Sequence, residues 1–109
     1  MKDKVTIMNL TGHPLNIFDK DRRLITIPPS GLVARAELKN MPFKSVNNIL
    51  IQAPCWSEIT DLPAPKKDTI YVVSRLVKNM VPGRYDVVCP GSPVTNSKKE
   101  RIGADGFLL

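Results

Sequence analysis

Ten prolines and six glycines are spread through the 109 residues rather than gathered in one tract. Proline removes a backbone donor and clashes with the preceding helical turn, so this spacing leaves no room for a long helix. The expected fold is therefore mainly β: a β-sandwich or barrel-like arrangement, antiparallel or mixed, with one short helix near residues 74–81. The length sets a single domain, residues 1–109, as the expectation. A chain this small buries little more than about 60% of its unfolded surface, so partner subunits would add to its stability and a homo-oligomer is expected.

Val5 to Leu10 is a mostly apolar run that reads as a first strand. Leu15 to Phe18 and Leu24 to Ile27 read as a hairpin around Asp19-Lys20-Asp21-Arg22, because Asp tolerates turn geometry and the charges keep the tip in water. From Leu32 to Leu38 period-two alternation places Leu32, Ala34, Ala36 and Leu38 on one face and Arg35 on the other. Lys39 to Asn48 breaks the pattern and reads as a loop pinned by Met41 and Phe43. Ile49–Ile51 and Trp56–Thr60 read as a second hairpin turning through residues 52–55, with Pro54 in the turn, and Leu62–Asp68 reads as a proline-rich loop.

Ile70 to Val73 is the most hydrophobic segment and the expected central strand. Leu76, Val77 and Met80 then follow helical spacing, with Ser74 placed to cap and Pro82-Gly83 placed to stop the run. Tyr85 to Cys89 reads as a strand ended by Pro90-Gly91. Its direction relative to Ile70–Val73 is open, since the crossover is short. After a polar, basic stretch from Ser92 to Arg101, Ile102 and Phe107–Leu109 read as a terminal strand.

Sixteen basic against ten acidic residues give a net charge of +6, which favours anionic partners without choosing among them. Polymeric nucleic acid is disfavoured, because there is no aromatic pair on a strand, no zinc-finger spacing and no helix-turn-helix pattern. No membrane partner is expected, since no run approaches 18 apolar residues, and the opening MKDKVTIMNL lacks a secretory h-region; a cytoplasmic location is the expectation. Cys55 and Cys89 form no CxxC and read as small buried apolar residues.

His13 is the one histidine, and no hydrolase, metalloprotease, P-loop or dinucleotide motif is present, so no catalytic residue, metal or cofactor is expected. A phosphodiesterase-like use of His13 as base, with Arg75 or Arg84 on a phosphate, is the enzymatic alternative. Anion binding is the stronger case, because the planar guanidinium donates two parallel hydrogen bonds to a phosphate. Arg75, beside Ser74 just inside the expected helix, gains a positive field from backbone N–H groups. Arg84 precedes Tyr85 and Asp86, so it stands either beside an aromatic face for a base or in a structural pair with Asp86. The candidate ligand-binding set is Arg75, Arg84, Tyr85, Asp86, Tyr71, Ser74, His13 and Arg35, with the arginines flanking Ile70–Asp86 expected to converge on one pocket.

Asn9-Leu10-Thr11-Gly12-His13-Pro14-Leu15-Asn16-Ile17, Ile27-Pro28-Pro29-Ser30-Gly31, Leu62-Pro63-Ala64-Pro65 with Thr69–Ser74, and Arg84–Val88 with Pro90-Gly91 and Ile102-Gly103 resemble a family of small phage and prophage proteins. Those proteins open with an NLTPH-like motif, in which Gly12 here stands where proline is usual. The resemblance spans nearly the whole chain. By analogy with small phage anti-defence proteins, it implies an oligomer in the host cytoplasm that sequesters a nucleotide immune signal without turnover. Cyclic ADP-ribose isomers and cyclic oligonucleotides are the ligands implied. In that case Arg forks take the phosphates and Tyr85 or Tyr71 stacks on the base. A virion or host-takeover interaction module and a small hydrolase are the alternatives.

Overall fold

The structure, a computed structural model, describes residues 5–109, the side chains of Trp56 and Ser57 excepted; the reading of residues 1–4 lies outside it. The elements run β1 (Thr6–Asn9), β2 (Leu15–Phe18), β3 (Leu24–Ile27), β4 (Arg35–Val46), β5 (Ile49–Thr60), β6 (Thr69–Val72), α1 (Arg75–Asn79), β7 (Val87–Thr95) and β8 (Arg101–Leu108). Six strands form one sheet in the order β1-β6-β7-β8-β2-β3, while β4 and β5 pair only with each other. The sheet is mixed: β1, β6 and β7 are parallel, as are β8 and β2, and β7–β8 and β2–β3 are antiparallel.

The two edges almost meet. After β3 the chain crosses to β1, where the Ser30 N–H donates to the Asn9 carbonyl and the Ala34 N–H to the Leu10 carbonyl, each at 3.0 Å. The fold is thus mainly β, a nearly closed barrel with one short helix. Asn9 holds this seam from inside: its amide donates to the carbonyls of His13 (2.8 Å) and Ile27 (3.1 Å). Its side-chain oxygen accepts from the N–H (2.9 Å) and hydroxyl (2.6 Å) of Thr11. These bonds explain why a polar residue only 1% exposed is stable there.

Local chemistry builds the elements as their residues require. In the β2–β3 hairpin the Asp19 carboxylate accepts from the N–H groups of Asp21 and Arg23, both at 2.9 Å, an Asx-type turn. At α1 the Ser74 hydroxyl accepts from the Val77 N–H, a capping bond at 3.3 Å. β6 is buried on both faces, as its unbroken apolar run requires. Tyr71 and Val73 pack with Leu10, Ala34, Val77 and Val87 on one side of the sheet. Val72 packs with Leu15, Ile17, Val88 and Ala104 on the other. Residues 73–86 carry the chain from β6 to β7, enough for a crossover, and the two strands are parallel.

Five expectations are corrected. Residues 39–48 are not a loop, and residues 52–55 are not a turn: β4 and β5 form one long ribbon, with Val46 opposite Ile49. Asn47 and Asn48 are its two-residue turn, at φ 50° and 63°, the left-handed pair that a type I′ hairpin demands. Pro42 and Pro54 are tolerated because a two-stranded ribbon leaves each strand's outer edge unpaired. The core-facing alternation that began at Leu32 stops at Ala36, where the register shifts between Glu37 and Leu38 and leaves Leu38 exposed. Pro90-Gly91 does not end β7 either. β6 pairs with it only at Val87 and Val88, so from Cys89 onward one edge is open and proline there breaks no ladder. Cys89 is buried as expected, whereas Cys55 lies exposed on the ribbon.

Candidate functional site

A groove of about 600 Å³ opens where the start of α1 meets β7, β8 and the segment leading into β2. Its polar lining comes from His13, Asn16, Ser74, Arg75 and Arg101, and its apolar lining includes Leu15, Ile17 and Ala104 of the second core cluster. Among the described residues no carboxylate lines it. Arg75 is placed by the Ser74 cap, which ends β6 and turns the chain into α1. Arg101 is placed by the first residue pair of β8, opposite Thr95 of β7. Among the described residues neither guanidinium makes an ion pair or hydrogen bond.

The sheet can bring these residues together only because β8 lies close against both neighbours. A Cβ on Gly103 would stand 2.9 Å from the Asn16 carbonyl oxygen and 2.9 Å from the Phe18 ring, inside any real contact distance. Gly91 meets the same restriction against the Asp105 carbonyl. His13 sits at the rim, exposed, with Nδ1 3.2 Å from the Pro14 carbonyl oxygen. α1 is five residues long, so the expected helix-end field is slight, and the positive character of the groove comes from the two arginine side chains.

Arg84 is elsewhere and is occupied. Its Nε donates to Asp86 Oδ1 at 3.0 Å and its Nη2 to Asp86 Oδ2 at 2.7 Å, a bidentate pair, and Nη2 also donates to the Pro63 carbonyl at 3.1 Å. The guanidinium lies 5.9 Å from the Tyr71 ring centroid. Hydrogen bonding from Arg84 holds the Asp86 carboxyl below its ordinary value against the opposite pull of burial, with charge from Arg84 and Lys78 adding to it. The same bonds raise Arg84 above its own ordinary value. Of the two sequence readings for this pair, the protein contains the structural one: the fork is spent on a carboxylate of the same chain.

The remaining expected residues are distributed over the body. Tyr71 is 1% exposed and its hydroxyl donates to the Ala64 carbonyl at 3.1 Å, so neither ring face is open to a base. Tyr85 is exposed and lines a separate cavity of about 280 Å³ with Lys78, Asn79, Pro82 and Leu109. Arg35 is exposed at the base of the β4–β5 ribbon, opposite Thr60, and lines neither cavity. The expected set therefore divides: His13, Ser74 and Arg75 share the groove, while Arg84, Asp86 and Tyr71 form a structural cluster and Tyr85 and Arg35 stand apart. Arg101 joins the groove without having been expected. Its sequence neighbours Lys98, Lys99 and Glu100 gave it the look of a solvated loop, and only its place ahead of Ile102-Gly103 marked it as the start of a strand.

Among the described residues no group of three or more His, Cys, Asp or Glu is arranged to hold a metal ion, and no helix is long and apolar enough to cross a membrane. No family model, curated protein or solved structure matches the chain.

Proposed function

We propose that the protein is a binding protein that holds a small, multiply charged anion of the phosphorylated-nucleotide class in the Arg75–Arg101 groove and releases it unchanged. One observation carries this reading. Two guanidinium groups from different elements line a single cavity that has no carboxylate, and neither has a partner among the described residues. Two like charges facing one groove favour a counter-charge between them, and a phosphate supplies that charge with matched fork geometry. Ser74, Asn16 and His13 add hydrogen-bonding groups at the same rim. The exposed apolar lining formed by Pro14, Pro93 and Ile102 suits the uncharged part of a nucleotide.

The finer reading, capture of a nucleotide immune signal by a phage protein in its bacterial host, rests on the resemblance of the Asn9–Ile17 and Arg84–Val88 segments to the phage family. The groove supports its phosphate half. Its base-stacking half has no tyrosine there, so sugar and base would rest on the apolar lining and His13.

Isothermal titration with a cyclic dinucleotide, cyclic ADP-ribose and pyrophosphate tests the reading. Each charged hydrogen bond lost is worth roughly 1.5–3 kcal/mol, so Arg75→Ala and Arg101→Ala should each weaken binding about 10- to 100-fold. Binding should also fall with added salt. Heat release of the bound probe, followed by chromatography, should return it intact. Absence of binding to all three probes, or unchanged affinity in both variants, overturns the proposal; an altered product returns the protein to the hydrolase class.

A further inference from the structure

The β4–β5 ribbon is the part of the molecule that the groove does not use. It touches the body at its base through Ala36 and Ile59 and then projects alone. The Cα radius of gyration is 17.8 Å with extents of 64 × 41 × 23 Å, against about 13 Å for a compact chain of this length. Along it Leu38, Met41, Phe43, Val46, Ile49, Leu50 and Ile51 are all at least 40% exposed, and Phe43 and Ile49 reach 66% and 67%. An isolated two-stranded ribbon is marginally stable in water, and an apolar patch of this size marks a contact surface.

The register sorts the side chains. Ile49, Ile51 and Ala53 share one face by period-two alternation, opposite Val46, Lys44 and Met41. That face is therefore a continuous apolar stripe crossed by one lysine stem. The other face carries Leu50 opposite Ser45 and Gln52 opposite Pro42, and is more polar.

We propose that the ribbon is a dimerisation arm: the Met41–Val46–Ile49–Ile51 faces of two copies stack against each other about a twofold axis. Two observations select a second copy as the occupant. Residues 40–57 hold a single charge, Lys44, in a chain of net charge +6. The arm is thus the place where two copies meet without the repulsion their bodies impose, and it offers no basic stripe to an anionic polymer or lipid headgroup. Pro42 and Pro54 blunt the ribbon edges, which directs contact to the faces and toward a closed pair rather than an extending sheet.

The test uses the full chain and light scattering coupled to size exclusion. The wild type should run at twice 12.1 kDa or an even multiple of that mass. Ile49→Asp, which buries a carboxylate in the stacked face, should raise the dissociation constant more than about 100-fold and give monomer, with an unchanged circular dichroism spectrum. Leu50→Asp on the opposite face should leave the dimer in place. A second variant, in which an Asn-Gly turn joins Asn40 directly to Pro54, removes the stripe without touching the body core and should also be monomeric. A monomeric wild type at about 100 µM overturns the proposal, as does an undiminished dimer in either monomer variant. A monomeric wild type that sediments with phosphatidylcholine vesicles overturns it in favour of lipid. Titrating pyrophosphate and the cyclic nucleotides into the monomeric variants separates failure of the arm from failure of the groove, since the groove residues lie outside the ribbon.

Discussion

Replacing Arg84 by methionine removes the guanidinium while keeping an unbranched apolar stem over Tyr71. The change deletes the bidentate bonds to Asp86 and the bond to the Pro63 carbonyl. The two side chains are 23% and 22% exposed, so water reaches the pair and the fully buried magnitude does not apply. A charged hydrogen bond broken from one side costs roughly 1.5–3 kcal/mol; with partial solvation of the stranded carboxylate the whole substitution should cost about 2–3 kcal/mol. For a domain of this size that lowers Tm by about 10–15 °C at neutral pH. The acid dependence carries the sign. The Asp86 carboxyl is held below its unfolded value of about 3.9, so its contribution is present above that pH and is lost as pH falls through the folded value. The variant lacks that contribution throughout. Its deficit should be widest near pH 7 and close progressively below about pH 4. Thermal melts followed by circular dichroism between pH 7 and pH 3 measure both. A midpoint within about 2 °C of wild type at pH 7, or a gap unchanged in acid, would refute the assignment of Arg84 to a structural pair.

Two further substitutions address the barrel. Asn9→Ala strips the seam of four side-chain hydrogen bonds; at about 1–3 kcal/mol for each buried group left unpaired, the loss should exceed about 3 kcal/mol. Amide exchange at Ser30 and Ala34 should accelerate ahead of the rest of the sheet, and uniform acceleration would argue against a local seam. Gly103→Ala drives a methyl group into the Asn16 carbonyl and the Phe18 ring, so β2 must shift away from β8. Urea unfolding should show a loss of about 1–3 kcal/mol, and the affinity of the groove should drop with it; a variant as stable as wild type would mean the strands are looser than their spacing implies.

What could be read from the residues follows the range of the interactions. The β2–β3 hairpin and the α1 cap are set by neighbours a few positions apart, Asp19 with Arg23 and Ser74 with Val77, and both stand where the pattern places them. The ribbon was hidden because its stabilising logic is not local. Its apolar residues are interrupted by Asn40, Pro42, Lys44 and Pro54, and the Asn47-Asn48 pair that closes it has the same composition as an ordinary loop. Half of the groove was legible: His13, Ser74 and Arg75 carry chemistry in recognisable company. Arg101 reaches it only through β8, which pairs with β7 on one side and β2 on the other, so no spacing along the chain announces its neighbour. Arg84 illustrates the converse, a residue with the right chemistry whose nearest acid, two positions on, claimed it first.

The place of β8 bears on how the molecule is made. It comes after every other strand in chain order, yet it lies between β7 and β2 and is the bridge through which the β2–β3 hairpin joins β1, β6 and β7. While the polypeptide is still emerging from the ribosome, these two groups of strands share no paired strand and are linked only across the Asn9 seam, and the other side of the barrel waits for Arg101–Leu108 to arrive. Assembly is therefore a late event that depends on contacts between residues far apart in sequence, a class of topology that folds slowly. A nascent chain stalled before Arg101 would hold strands and no barrel.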